Sequence, residues 1–214
     1  GGPDYYIRNG NNIFLFENKD IFMSAEVKES RNFEIIKNII DNKLVKESGI
    51  PQIINNIKYI LSKKYKFDNN YSENKCTIYP IIVTHRPEFD TPGLNLYLKY
   101  IFDKKLSELK EVNINIDKVK QLTLINIDTL IVFLNYLKNK KMSLNEIIDS
   151  YHANTNKEIK NVKDEDDLDI KKSRKMSSFY AYMNGFYVVD KKIDINKELK
   201  ILRDENITLT DKLK

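Results

Sequence analysis

The segment at residues 3–19 constrains the fold more than any other stretch of this 214-residue sequence, because it predicts a tight β-hairpin. Asn9-Gly10 is a strong hairpin signal, since both residue types tolerate positive φ. With the tip at residues 10–11, or with a four-residue loop over 9–12, Arg8 pairs with Ile13. Partners across an antiparallel pair keep a constant sum of residue numbers, so this one pair sets the register of the whole hairpin.

That register places Asp4 directly opposite Glu17, with their Cβ atoms about 5 Å apart on one face of the sheet. Lys19 lies two residues beyond Glu17 and projects to the same face. Two carboxylates this close repel each other, and a hard divalent cation bound between them relieves the repulsion. The sequence therefore predicts a Mg²⁺ (or Mn²⁺) site with Asp4 and Glu17 as ligands and an amine beside it.

The order Pro3-Asp4, hairpin, Glu17-Asn18-Lys19 resembles the PD-(D/E)XK nuclease superfamily, whose pattern is Pro-Asp followed by Asp/Glu-x-Lys. The resemblance implies a restriction-endonuclease-like mixed α/β sheet flanked by helices, and metal-dependent hydrolysis of phosphodiester bonds. It implies that Asp4 and Glu17 bind the metal and that Lys19 lies beside the nucleophilic water. It also implies a glutamine near the start of the following helix, where Gln52 is either a residue that reaches the scissile phosphate or simply an exposed first-turn residue.

The resemblance further implies DNA as the substrate, in a setting such as restriction or phage defence. The alternative is a nuclease-like fold without activity that serves as a nucleic-acid-binding or protein-binding module. The family core begins with a helix and a strand ahead of Pro-Asp, whereas this sequence begins at Gly1. We therefore expect the N-terminal part of the core to be missing or to lie elsewhere. A homodimer and a longer multidomain protein are both compatible with this expectation.

Glu-x-Lys by itself carries little information, because it occurs six times in the chain. The apolar run Ile13-Phe14-Leu15-Phe16 distinguishes the first occurrence, since it predicts a buried central strand. A charged pair that ends such a strand is costly unless it is paired or bound to metal. The alternative is an edge hairpin with a solvated Glu17 and Lys19. The main rival motif is Glu26-Val27-Lys28, with Asp20 as its acid and residues 22–25 as its strand.

Composition limits the remaining function classes. The net charge of +5 is compatible with a polyanionic partner. The single cysteine, Cys76, excludes an intramolecular disulfide and a Cys-based zinc site. Only two histidines are present, which argues against a multi-histidine metal centre. No run approaches the roughly 18 apolar residues of a membrane span, and no signal peptide is visible, so we expect a cytoplasmic protein without membrane association.

Residues 1–152 are predicted to form the nuclease-like core. Its first predicted elements after the hairpin are a helix over 31–47 that ends at Gly49, a helix that begins at Pro51, and a polar loop over 68–75. A strand over 76–84 follows, in which Pro80 indicates an edge or bulge, and then a helix with Pro92 in its first turn. The last predicted elements are a strand over 122–127, a helix capped by Asp128 that runs to about 138, and a helix from the Ser143–Glu146 capping box through His152.

Two further predictions concern histidines and the C-terminal part. His85 and Arg86 follow a strand end, where they could touch a phosphate. His152 is predicted to bind a carbonyl at a helix C-terminus, where the dipole favours its cation. Residues 153–214 are predicted to be an extension packed on the core: a mobile polar loop over 153–175 with a basic run at 171–175, an aromatic cluster over 179–187, and a short charged helix from residue 195.

Overall fold

The computed structural model describes residues 2–30, 32–140 and 142–191, with the side chains of 134–137, 140 and 186–191 left out. The strands are β1 (Tyr5–Asn9), β2 (Asn12–Lys19), β3 (Thr77–Thr84) and β4 (Thr123–Asn126). The helices are α1 (Ala25–Glu29), α2 (Phe33–Ile40), α3 (Ile50–Leu61), α4 (Leu94–Glu111), α5 (Ile127–Lys140), α6 (Leu144–Thr155), α7 (Glu165–Lys175) and α8 (Phe179–Lys191).

The protein has an α/β fold with one mixed, open sheet in the order β1-β2-β3-β4. β1 and β2 form the predicted antiparallel hairpin, and Arg8 pairs with Ile13 as the sequence predicts. β2, β3 and β4 are mutually parallel, joined by helical crossovers. The hairpin therefore contributes an edge strand and an interior strand, and the interior strand β2 is the one that carries Glu17.

Both faces of the sheet are covered, which is why β2 and β3 are apolar along nearly their whole length. Odd-numbered residues of β2, such as Ile13 and Leu15, pack against α3 and α4 in one core. Phe14 and Phe16 pack on the opposite face in a second core with residues of α6 and α8. The prediction of a buried central strand at residues 13–16 is confirmed. Among the described residues, no helix is long and apolar enough to span a bilayer.

The prediction that Pro80 marks an edge is wrong, because β3 lies between β2 and β4. The alternative of a bulged position agrees with the pairing on the β4 side, where Ile78 is opposite Val119 but Ile81 is opposite Thr123, so the partner segment holds one extra residue. Ile78 exchanges backbone hydrogen bonds with Lys118 and Lys120 on the β4 side. Pro80, two residues on, faces that same side, but the β3–β4 ladder begins only at Ile81. A proline is tolerated here because its position requires no ladder donor.

The edge of β4 is closed by a side chain of α4. The amide of Asn95 donates to the carbonyl of Leu124 (2.9 Å) and accepts from its N–H (2.7 Å), as a neighbouring strand would. Unpaired strand edges invite association with other chains, so this pairing protects the edge.

Pro92 precedes α4 instead of lying in its first turn, and Gly93 in the left-handed region is the residue before the helix.

The predicted helix over residues 31–47 is divided into α2 and a π-helical segment at Asp41–Glu47. Gly49 follows with φ +60°, so the expected glycine stop is present, and Pro51 lies in the first turn of α3 as predicted. A Cβ on Gly49 would lie 2.8 Å from the backbone carbonyl oxygen of Leu44. Gly10 has nearly the same φ of +58°, but a Cβ there would meet nothing within 4 Å.

These two glycines form a matched pair for a stability measurement. Gly10→Ala is expected to lower the free energy of unfolding by about 1 kcal/mol, the cost of positive φ alone. Gly49→Ala is expected to cost about 3 kcal/mol, because the backbone clash with Leu44 adds to the same φ penalty. Urea unfolding followed by circular dichroism measures both losses. Equal losses would show that the approach to Leu44 does not matter.

Two predictions at helix ends are corrected. The cap of α5 is Asn126, whose side chain accepts from the N–H of Asp128 (2.8 Å), so Asp128 lies inside the helix. His152 does not bind a carbonyl at the end of α6. Its ring is buried, and Nε2 lies 2.8 Å from Oγ1 of Thr123. Burial lowers the pKa of His152 to about 4, so the ring is neutral where the sequence predicted a cation.

The prediction of a loop over residues 153–175 is wrong for its second half, which forms α7. α7 lacks an apolar stripe, but Asp164 caps its first turn and the last turn is basic. Lys171 also bonds Asp167 one turn earlier, at 2.6 Å. These charges complement the helix dipole, which hydrophobic periodicity does not detect. The aromatic cluster packs on the domain through the buried Phe179, while the tail predicted from residue 195 lies outside the described residues.

Candidate active site

Glu17 and Lys19 lie at the carboxyl end of β2, on the face that Ile13 and Leu15 present to α3 and α4. Glu17 is 1% exposed, which contradicts the alternative of a solvated edge hairpin for this residue. The side chain of Lys19 is 15% exposed. The apolar strand therefore carries a carboxylate into the interior and places an amine just above it.

The two side chains form a short ion pair, with Lys19 Nζ 2.7 Å from Glu17 Oε1. Burial raises the pKa of Glu17 above its ordinary value, and the negative charge of Asp4 raises it further. The hydrogen bond and charge of Lys19 oppose this rise but do not overcome it. The site thus holds a carboxylate whose charged form is disfavoured by its surroundings and favoured by one cation.

Asp4 lies one residue before β1, where the hairpin register places it opposite Glu17. Its Oδ2 accepts a hydrogen bond from the backbone N–H of Asn18 (2.7 Å), which ties the start of the chain to the site strand. The register and this hydrogen bond place the carboxylate of Asp4 beside the backbone of the strand that carries Glu17, with the two acids opposite each other as the sequence pairs them.

Gln52 joins the site from the first turn of α3. Its Oε1 accepts from Lys19 Nζ at 2.7 Å and from the backbone N–H of Gly49 at 3.1 Å. Gln52 is an exposed residue in the first turn of α3, as one of the two interpretations predicts, and its contact with a phosphate stays a prediction. The amine of Lys19 is consequently held between a carboxylate and an amide, with its position determined from two sides.

The oxygens of the two acids suit a hard divalent cation. Asp4 Oδ1 and Glu17 Oε2 have no hydrogen-bond partner among the described residues, while the other oxygen of each acid is engaged. Mg²⁺ needs only one or two protein carboxylates and completes its shell with water and phosphate oxygens. Within the described part of the chain, no group of three or more acidic, histidine or cysteine side chains gathers as a metal site. A metal here would therefore rest on Asp4 and Glu17.

The rival motif Glu26-Val27-Lys28 does not lie on a strand. Its residues are in the short helix α1, and Lys28 pairs with Glu88 at 2.8 Å. Asp20, its proposed acid, is exposed and pairs with Arg86 at 3.6 Å. Residues separated by two positions point in different directions on a helix, so this motif cannot present Glu and Lys together as a strand does.

His85 and Arg86 lie near the site, but their side chains are engaged elsewhere. His85 Nε2 is 2.6 Å from the side-chain oxygen of Asn18, on the opposite face of β2 from Glu17 and Lys19. Arg86 lies over the ring of Phe22, with 5.0 Å between the guanidinium carbon and the ring centroid. The cluster of Glu17 and Lys19 lies on the face of the sheet that α3 covers, and His85 is therefore not part of it.

Thr84 is a residue at the site that the sequence analysis missed. It ends β3 directly opposite Lys19 and is fully buried, and its hydroxyl has no hydrogen-bond partner among the described residues. Asn126 ends β4 opposite Thr84, and its side-chain nitrogen is likewise buried without a partner in the described part of the chain. Lys19, Thr84 and Asn126 form a polar row along the carboxyl ends of three parallel strands. The signal for this row in the sequence was that each of the three apolar strands ends in a polar residue.

Comparison of the chain with models of known protein families, with curated proteins and with solved structures finds no match.

Proposed function

We propose that the protein is a Mg²⁺-dependent nuclease that hydrolyses phosphodiester bonds in DNA, with a restriction-endonuclease-like fold of the PD-(D/E)XK type. The observation that carries the proposal is the Glu17–Lys19 pair, buried at the carboxyl end of an interior strand, with Asp4 across the hairpin. The parallel crossover from β2 through α3 to β3 fits the same fold.

Each side chain of the cluster has a role that follows from its chemistry. Asp4 and Glu17 would hold the cation through their unengaged oxygens, and the cation supplies charge neutralisation at the phosphate and an acidified water. Lys19 orients the attacking water and stabilises the negative charge that develops on the phosphate oxygens. Gln52 positions Lys19, because its carbonyl oxygen accepts from the amine.

The test is cleavage of supercoiled plasmid and labelled oligonucleotides with Mg²⁺, Mn²⁺ or EDTA. We expect cleavage that requires the metal and falls by at least about 100-fold in Asp4→Asn and in Glu17→Gln. Glu108→Gln is the matched control, since Glu108-Leu109-Lys110 is the same tripeptide pattern on the exposed side of α4. Unchanged cleavage in both site variants would overturn the site, and the absence of any metal-dependent cleavage would overturn the function.

A further inference from the structure

A surface cavity of about 670 Å³ lies between the end of α3, the following loop and the start of the chain. The residues that matter for its chemistry are Gly2, Asn56, Tyr59, Lys64, Lys66 and Phe67, which we call the basic-aromatic groove. No acidic residue lines it. The groove therefore combines positive charge with aromatic surface, the two features that bind single-stranded nucleic acid.

Two residues that line the groove are close along the chain to residues of the candidate active site. Asn56 lies four residues after Gln52 on α3, so the two side chains share one face of the helix about 6 Å apart. Gly2 lies two residues before Asp4 on the other side. A strand that lies in the groove would thus reach the Glu17–Lys19 pair within one turn of α3.

The aromatic rings of the groove are available for stacking. Phe67 is 77% exposed and Tyr59 is 40% exposed. The buried Tyr65 holds Phe67 in place from below, with ring centroids 5.6 Å apart in an edge-to-face arrangement. A phenyl ring that is supported on one side and open on the other presents a stacking surface for a base.

The groove also carries uncompensated polar groups. Lys64 and Lys66 form no ion pair with any described residue, whereas the neighbouring Lys63 pairs with Glu73 at 2.7 Å. Asn56 is 3% exposed, and its side-chain oxygen has no hydrogen-bond partner within the described ranges. A buried amide oxygen without a partner is costly to folding, so Asn56 lowers the stability of the groove wall.

We propose that the basic-aromatic groove binds an unpaired strand of the DNA substrate next to the position of cleavage. This inference rests on the proposed nuclease function and adds a substrate class, namely DNA with a single-stranded segment such as an end or a flap. Unpaired bases expose the faces that Tyr59 and Phe67 need, whereas in a duplex the bases stack on each other. Lys64 and Lys66 contact the phosphates of that strand.

The test is fluorescence anisotropy with labelled DNA of about 12 nucleotides, in EDTA so that no cleavage occurs. We expect the single strand to bind more tightly than a duplex of the same length, with affinity that falls between about 50 and about 200 mM salt. Lys66→Ala/Phe67→Ala is expected to weaken single-strand binding at least about tenfold. The control Tyr100→Ala/Lys104→Ala removes an equally exposed ring and amine from α4 and should change binding less than about twofold.

Binding of a strand without bases tests what the groove recognises, and a variant of Asn56 is a second measurement. An abasic strand keeps the phosphates but lacks the bases, so it should bind at least about tenfold more weakly than the ordinary strand. Asn56→Leu removes the unpaired buried oxygen at similar volume and should raise the thermal midpoint by about 3 °C, while single-strand binding stays within about twofold because that oxygen is not accessible from the groove. Equal binding of ordinary and abasic strands would overturn base recognition in the groove.

These outcomes are separable from those of the proposed function, because binding in EDTA does not depend on catalysis. If the protein cleaves DNA and the groove variant binds single strands as the control does, the groove inference is overturned and the nuclease stands. If no substrate is cleaved but binding depends on the groove residues, the nuclease proposal is overturned and the groove stands. Tighter binding of duplex than of single strand would overturn the groove inference in either case.

Discussion

Lys19→Met is expected to reduce metal-dependent cleavage by at least about 100-fold and also to destabilise the protein by about 3 kcal/mol at neutral pH. The second effect arises because Glu17 is 1% exposed and would lose the one cation that pairs with it among the described residues. Its pKa is already raised by burial, and the loss of Lys19 raises it further. The stability loss should therefore shrink as the pH falls and Glu17 becomes protonated.

A double variant separates the two effects of the lysine. Lys19→Met/Glu17→Gln removes the buried charge together with its partner, so it should recover most of the lost stability but none of the cleavage. Lys110→Met in the exposed helical Glu-x-Lys pattern is the control and should change neither property. Cleavage assays and urea unfolding of Lys19→Met, the double variant, Lys110→Met and the unaltered protein test this prediction. A stable Lys19→Met protein at neutral pH would contradict the account of the pair as a buried charge and its counterion.

Folding stability is expected to fall by about 3 kcal/mol more in the original protein than in His152→Gln when the pH is lowered from 7 to about 4. The pKa of His152 is lowered from 6.5 to about 4 because the ring is buried, and the positive charges of Lys99 and Lys120 oppose its protonation more than Asp149 favours it. Between these values the unfolded chain binds a proton that the folded chain does not. The contribution of the neutral His152 ring to the free energy of unfolding is therefore fully present above pH 6.5 and is lost as the pH falls toward about 4.

The control for this effect is the other histidine of the chain. His85 is exposed and lies beyond the end of β3, so His85→Gln is the control for replacing a histidine by glutamine outside the core. Urea unfolding at a series of pH values measures the slope, and the difference between variants removes the contribution of the carboxylates. An identical slope in His152→Gln and the unaltered protein would show that the buried ring does not account for the loss.

The local features of the fold could be predicted from the sequence. The register of the hairpin follows from a two-residue tip at Gly10-Asn11, which leaves little choice of pairing, and the structure confirms that Arg8 pairs with Ile13. The burial of β2 follows from four consecutive apolar residues, and the start of α6 follows from its capping box. In each case the cause lies within a few residues of its effect. The nuclease activity itself stays a prediction.

Other features depended on partners that are distant in sequence. The position of Pro80 in an interior strand is allowed because β4 begins pairing only at Ile81. His152 is neutral because α6 places it against Thr123, 29 residues earlier. Neither of these relations is visible in a local window of the sequence.

The sequence by itself determined which residues could meet at the hairpin, because strand alternation and a tight turn place Asp4, Glu17 and Lys19 on one face. Only the tertiary structure decided the state of that cluster. The packing of α3 and α4 over that face buries Glu17, so the charge of Glu17 depends on Lys19. The same packing brings Gln52 to the amine of Lys19. The basic-aromatic groove is also a tertiary feature, because α3, the loop after it and Gly2 together line it. The physical reason is that desolvation and cavity shape depend on everything that surrounds a group, whereas backbone register depends on its neighbours along the chain.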